Sequence, residues 1–243
     1  MAITESTNPP GILVAGCGKL GGAIASRLKH SATVFGLRRN PDRVPEGVQG
    51  IGADLTRPAT LAGQLPDNLD IVIYCLTPSS YDESSAVNPV RFSGGQILAG
   101  EQTALGSNHP ATIIRFSGIY GPSRARFLEE VRQGRMNPQP PAPFSNRIHE
   151  EDAAEAAAHL VRLALSGAQL EPCYIASDCE PVRLDEVVDW VRQQTPCADP
   201  VPDARQGGRA GSKRCKNQRL LATGFQFRYP DFRAGYSAMI SKH

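Results

Sequence analysis

The 243-residue sequence is short of several things, and each absence closes off a class of function. Its formal charge is only +2, which gives a general nucleic-acid or membrane-surface role little electrostatic support. No apolar run approaches the length of a membrane span. Residues 1–10 carry neither a basic region nor an apolar one, so no signal peptide is evident. There is no internal repeat. The six cysteines (Cys17, Cys75, Cys173, Cys179, Cys197 and Cys215) contain no C-x-x-C and no zinc-ligand spacing. A chain of this length can bury enough apolar surface to fold without disulfides, so reduced thiols and a cytoplasmic location are expected.

What is present begins with Gly16-Cys17-Gly18-Lys19-Leu20-Gly21. It follows the apolar run Ile12–Ala15 and opens a helical segment, Leu20–Leu28. Strand, glycine turn and helix in that order make a dinucleotide-binding βαβ unit. Gly16 lets the chain turn sharply. Gly18 lets a pyrophosphate approach the backbone, and Gly21 lets the helix pack on the sheet. The N–H groups of the first helical turn and the dipole behind them then hold phosphate charge.

A second β-like run, Ala32–Leu37, ends at Arg38-Arg39, with no acid until Asp42. A carboxylate at this point would accept the ribose 2′-OH of NAD, whereas a guanidinium binds the 2′-phosphate of NADP in a fork. NADP is therefore expected over NAD.

The remaining pattern alternates. It reads as strands at 48–53, 69–76 (buried), 111–116 and 173–176, and helices at 59–65, 93–105, 124–135, 151–166 and 184–194. That alternation predicts an α/β fold, a doubly wound parallel sheet of Rossmann type followed by a smaller region. The expected division is 1–122 for the dinucleotide-binding domain and 123–243 for a C-terminal substrate region. The four prolines of 136–145 predict an irregular loop, and the Pro/Gly-rich 196–211 a connection of low local order. The aromatics Phe225, Phe227, Tyr229, Phe232 and Tyr236 are expected to pack the second region. Ligands bind beyond the carboxyl ends of such strands, where the glycine turn, Arg38, Asp54 and Thr77 fall.

An ordered set of segments then resembles the extended and atypical short-chain dehydrogenases/reductases, in particular the NAD(P)-dependent epimerase/dehydratase-like members. These are V-A-G-C-G-K-L-G (14–21), G-A-D-L-T (52–56), R-F-S-G-I-Y-G-P (115–122), R-I-H-E-E-D-A-A (147–154), Y-I-A-S-D (174–178) and R-Y-P-D-F-R-A-G-Y (228–236). The resemblance implies a Rossmann domain with a small C-terminal substrate domain. It implies Asp54 and Leu55 near the adenine, the 75–78 segment, with Leu76 and Thr77, near the nicotinamide ribose, and His149 and Asp152 as positions linking the domains. Tyr120 and Arg147 are substrate-side candidates, and the substrate expected is a hydroxyl-bearing small molecule, a nucleotide-linked sugar among the candidates.

The chain departs from that family at its proton-transfer motif. No tyrosine is followed four residues later by lysine. The best register puts Phe92 and Gln96 at those two positions, and neither moves a proton at neutral pH. Only 16 residues, Thr77–Phe92, lie where the family would fit a helix, a strand and a serine-bearing loop. The fold can survive as a β-α-β crossover through helix 93–105 while the usual chemistry does not. Tyr81, beside Ser79 and Ser80, is the one substitute catalytic candidate.

His149, Glu151, Asp152, Glu155 and His159 have the chemistry of metal ligands, but a solvated helix face explains Glu155 and His159, and no metal is expected. Arg205, Arg209, Lys213, Arg214, Lys216 and Arg219 form a basic cluster that suits either a solvated loop or an anionic substrate. Three functions follow in order: an NADP-dependent oxidoreductase or epimerase, a non-catalytic NADP sensor, and, distantly, a nucleic-acid binder. The expected partner is a small molecule, without nucleic acid or membrane, and a homodimer stays open.

Overall fold

The apolar run at the start of the chain forms β1 (Gly11–Ala15), buried at all five positions, as expected of a central strand covered on both faces. The computed structural model describes residues 9–55, 57–75, 92–207 and 214–241, with backbone alone at 58 and 92–97. These fall into two compact units, one drawn from Met1–Leu76 and Ala157–Ala168, the other from Thr77–Ala156 and Gln169–His243.

The first unit is a parallel four-stranded sheet in the order β3-β2-β1-β4, with β2 at Thr33–Arg38, β3 at Gln49–Gly52 and β4 at Ile71–Tyr74. Helix α1 (Lys19–Leu28) joins β1 to β2 and buries Gly21, Ile24, Ala25 and Leu28, the i, i+3, i+4, i+7 stripe of a helix lying on a sheet. Asp70 and Gly11 exchange two hydrogen bonds that set the register of β4: the Gly11 N–H donates to Asp70 Oδ2 (2.7 Å), and the Asp70 N–H to Gly11 O (2.8 Å).

Two expectations need correction here. The helix expected at 59–65 is only a 3-10 turn, Pro58–Thr60. The Thr60 hydroxyl donates to the carbonyls of Asp54 (3.2 Å) and Arg57 (2.8 Å), and Gly63 takes φ +69°, so neither residue carries a helix onward. β4 is not buried. It is an edge strand of this sheet, and Val72 and Tyr74 are 59% and 55% exposed.

The second unit pairs its strands two by two. β5 (Ile113–Phe116) runs parallel to β9 (Cys173–Ala176), and β6 (Gly118–Tyr120) parallel to β8 (Arg147–His149). β7 (Phe144–Ser145) is antiparallel to β10 (Val182–Arg183). The strand after the 93–105 helix thus has β9 as its partner. That helix is α2 (Phe92–Leu105), and its Glu101 holds Arg115 of β5 in a two-pronged pair of 2.7 and 3.2 Å, both side chains about nine-tenths buried.

Helices α3 (Arg126–Arg132), α5 (Leu184–Gln194), α6 (Gln218–Ala222) and α7 (Phe232–Ile240) complete this unit, and α4 (Glu150–Leu165) begins in it. α3 is shorter than the expected 124–135 because Pro122–Arg124 forms a 3-10 turn before it and Gly134 (φ +67°) follows it. The core joins Leu128 and Val131 of α3 to Val187, Val188 and Val191 of α5 and to Phe232 of α7. The Asp231 side chain caps α7 by accepting the Ala234 N–H (2.9 Å). The aromatic tail does pack this unit, with Phe232 and Tyr236 in the core and Tyr229 against His149.

The 196–211 connection is better ordered than its composition suggested, as far as residue 207. Its backbone is stitched to residues 132–137 through Ala198 N–H to Arg132 O, Val201 N–H to Gly134 O, Arg205 N–H to Arg135 O and Asn137 N–H to Arg205 O. Gly134 permits this close approach, since a Cβ there would lie 2.1 Å from the Asp199 carbonyl oxygen.

Candidate functional site: a glycine turn and a buried polar cluster

The glycine turn has the shape its spacing predicted. Gly16 takes φ +87°, a conformation that side chains resist. The Gly16 and Cys17 N–H groups donate to Leu37 O (3.1 and 3.0 Å), locking the turn to β2. A Cβ on Gly21 would stand 2.5 Å from Gly16 O and 3.2 Å from Val14 Cγ1, so only glycine lets α1 come this close. At Gly18 a Cβ would meet nothing nearer than Gly16 O at 4.0 Å, which leaves the turn open on that side. Helix α1 starts here on a glycine, so no side chain caps the N–H groups of its first turn.

Arg38, at the end of β2, folds back over this turn. Its Nη1 donates to the carbonyls of Cys17 (3.1 Å) and Arg43 (2.6 Å). Two carbonyls thereby fix the guanidinium beside the glycine turn, and Arg39 is exposed next to it. Asp54 is half-buried after β3, with its N–H bonded to Thr60 Oγ1 (3.0 Å), and Leu55 is 36% exposed. Lys19 is exposed at the first position of α1. Leu76, Thr77, Tyr81 and the neighbouring Ser79 and Ser80 lie outside the described residues, as do the side chains of Phe92 and Gln96. Burial raises the thiols of Cys17 and Cys75, the latter to about 11, so neither is a ready nucleophile.

In the second unit Tyr120 and Arg147 are both buried, at 5% and 6% exposure. The Arg147 guanidinium lies 5.6–5.8 Å from the ring centroids of Phe127, Phe232 and Tyr236, and its Nη2 donates to Ser145 Oγ. Tyr120 packs on Tyr236 (centroids 4.6 Å apart) and edge-on to His149. Burial raises both tyrosine hydroxyls, Tyr236 to about 12. His149 is buried with Nδ1 accepting the Glu151 N–H (3.3 Å), and burial lowers its pKa. Asp152 accepts the N–H groups of Arg228 and Tyr229, both at 2.9 Å. Both positions therefore act inside the second unit, fastening the start of α4 to the 228–229 segment, beyond the linking role that the resemblance implied.

Sequence reasoning singled out Tyr120 and Arg147 here but missed Asp178. It is 1% exposed, and burial pushes its carboxyl up to about 7 against the attraction of Arg147 and the Glu180 N–H. Its signal was an acid two residues after the apolar run of β9, a place where acids are seldom buried.

Among the described residues no group of three His, Cys, Asp or Glu side chains has metal-binding geometry. The basic cluster is partly neutralised: Arg205 pairs with Glu130 at 2.7 Å, and Arg219 lies 3.9 Å from Glu171. Arg214 stacks on Phe144, 4.1 Å from its centroid, while Arg209 and Lys213 fall outside the described residues. No described helix is long and apolar enough to cross a membrane.

No protein-family model matches the sequence, and no curated protein does. A solved structure does: a Methylobacillus flagellatus protein assigned as an NAD-dependent epimerase/dehydratase is 31% identical, with TM-score 0.79, over 96% of this chain and 98% of that one. The chain belongs to the NAD(P)-dependent epimerase/dehydratase-like short-chain dehydrogenases/reductases. This epimerase/dehydratase relative shares its fold with more distant structures. Human epimerase family protein SDR39U1 with NADPH matches at 18% identity and TM-score 0.69, over 96% of this chain and 100% of that one. A Thermus thermophilus UDP-glucose 4-epimerase complexed with NAD matches at 17% and 0.67, over 95% and 98%. The four-stranded parallel sheet with α1 behind its glycine turn is the family's Rossmann architecture.

Proposed function

We propose that the chain binds NADP(H) at the glycine turn of its first unit and acts as an oxidoreductase or epimerase on a hydroxyl-bearing small molecule, with nucleotide-linked sugars among the candidates. The observation that carries this is the opening at Gly18, where the start of α1, uncapped by any side chain, borders a space that a side chain would fill. In this reading Gly16, Gly18, Lys19, Leu20 and Gly21 cradle the pyrophosphate, and Arg38 and Arg39 take the 2′-phosphate. Asp54 and Leu55 flank the adenine, and Leu76 and Thr77 lie toward the nicotinamide ribose. The anchoring of Arg38 on Cys17 O supports NADP over NAD, because a pre-positioned guanidinium loses less entropy on meeting a phosphate. The bound nicotinamide supplies reversible hydride acceptance. The chain supplies placement, and its proton-transfer group is unassigned, with Tyr81 the candidate. The lack of Tyr-x-x-x-Lys favours a second reading, an NADP-binding sensor without catalysis. In both readings the partner is a small molecule in the cytoplasm, without nucleic acid or membrane, and a homodimer stays open.

A fluorescence titration with NADPH and NADH tests the site. Micromolar NADPH binding, with NADH weaker by at least about tenfold, is expected. Both Arg38→Glu and the exposed Arg39→Glu should remove that preference. Binding of neither cofactor, or equal binding of both in all three proteins, overturns the proposal. Turnover of NADPH with a panel of carbonyl and hydroxyl substrates then separates enzyme from sensor.

A further inference from the structure

Asp178 lies two residues past β9, and although the Glu180 N–H draws on its charge, neither carboxyl oxygen makes a hydrogen bond of normal geometry among the described residues. Four other buried polar atoms of this unit share that state: Arg147 Nη1, Tyr120 Oη, Ser117 Oγ and Asp185 Oδ1. The groups that act on Asp178 come from each element around it. Arg147 of β8 attracts its charge, while Asp231 at the start of α7 and Glu180 in the following loop repel it. The hydroxyls of Tyr120 on β6 and Tyr236 on α7 also sense it. Glu180 is paired with Arg233 (2.6 Å), and Asp231 caps α7. The Asn217 amide at the start of α6 donates to the Ser177 and Asp178 carbonyls and leaves the carboxyl untouched. Among the described residues no ion pair joins Arg147 to Asp178. The guanidinium is turned instead toward the three rings, two of which, Phe232 and Tyr236, belong to α7.

We propose that Asp178 is a proton-operated latch on helix α7: protonated, it leaves Arg147 among the rings of Phe127, Phe232 and Tyr236, and ionised, it draws the guanidinium out of that cage. The proton leaves to solvent as the carboxylic acid becomes a carboxylate, and the new charge finds its partner in Arg147 Nη1, the atom now lacking one. Burial and the acids at 180 and 231 place this change near neutral pH, inside the physiological range. The folded state holds the proton at a pH where the unfolded chain has already lost it. The Asp178 contribution to stability therefore falls as pH rises from about 4 to about 7 and levels off above. The latch does not depend on the cofactor reading.

Trp190, the single tryptophan of the chain, packs edge-on against Phe232 with centroids 5.6 Å apart, and so reports on the cage. Its emission and the melting temperature are to be followed from pH 5 to 9 in the wild type and in Asp178→Asn, a neutral isostere of the protonated acid. The expected result is a wild-type change in Trp190 emission centred near pH 7 that the variant lacks, with the variant melting higher than the wild type at pH 8.5. The same pH profile in both proteins overturns the proposal. Should the variant fail to fold, carbon-13 NMR of the aspartate carboxyls in the wild type decides. One carboxyl titrating near 7 supports the latch, and titration of all of them below 5 overturns it.

Discussion

The two units of this chain are built for different tasks from different material. In the first, the critical positions are glycines, and what they offer is exposed main chain: Gly16 bent into a left-handed turn, Gly21 pressed against it, Gly18 open beside both. In the second, the critical positions are large side chains wrapped around buried polar groups. Phe232, Tyr236 and Phe127 surround a guanidinium, and a carboxyl sits close by. The first arrangement leaves main chain uncovered at little cost to the fold. The second risks stability by burying polar atoms that have no partner. Ligand recognition and stability should therefore respond separately to substitution.

The largest effect expected belongs to the second unit. Phe232 is fully buried, and Phe232→Ala should lower unfolding stability by about 3–5 kcal/mol, seen as a shift in the urea midpoint at constant slope. A comparable loss, about 3–5 kcal/mol, is expected of Arg115→Met, which strands the Glu101 carboxylate without its guanidinium. If urea unfolding shows less than about 1 kcal/mol for either, the contrast between the units fails.

The glycines sharpen it. Gly21→Ala forces backbone against backbone and should cost about 1–3 kcal/mol in the same assay while also removing NADPH binding. Gly18→Ala has room in the folded protein, so its stability cost should stay below about 1 kcal/mol. Its NADPH affinity, measured by titration, should nonetheless fall by at least about tenfold. Equal behaviour of the two variants would remove the reason for assigning Gly18 to the ligand.

A smaller effect is expected at acid pH. The pKa of His149 is lowered in the folded state, so the unfolded chain takes up that proton first, and the His149 contribution to stability, opposite in sign to that of Asp178, should fall as pH drops below about 6.5. His149→Phe should flatten that acid limb in melting curves. The smallest effect belongs to Tyr120→Phe. It deletes a buried hydroxyl that has no hydrogen-bond partner among the described residues and should be neutral, or stabilising by up to about 1 kcal/mol, in urea. A clear destabilisation would mean that the hydroxyl is bonded in solution.

The first unit was the more legible in the sequence, and the reason is physical. A βα turn that approaches a ligand through its backbone must place glycines at short, fixed intervals, so 16, 18 and 21 carry the information within one line of text. The strands β1 and β2 announced themselves by apolar, β-branched runs and were misplaced by a residue at most. Two readings failed where a local pattern was overruled. The segment 59–65 read as a short helix, but the Thr60 hydroxyl and Gly63 turn the chain instead. Ile71–Tyr74 looked buried, but composition does not say which strand ends a sheet. The polar cluster of the second unit was illegible because Tyr120 and Arg147 meet only through the pairing of β6 with β8, and Asp178, after β9, joins them through its N–H bond to Arg147 O (2.8 Å). The departure at the Tyr-x-x-x-Lys positions was, by contrast, readable at once and still bounds what catalysis can be claimed.

The grip of Asp152 on the N–H groups of Arg228 and Tyr229, across 76 and 77 residues, bears on how the protein is made. On the ribosome the start of α4 emerges long before the segment that satisfies its carboxylate. Phe232 and Tyr236, which close the same core, emerge later still. Through that interval the second unit holds a charged side chain in a half-built interior, while every strand of the first unit's sheet has already been synthesised. The order of synthesis therefore lets the glycine turn and its sheet form early and keeps the aromatic core waiting for residues 228–240.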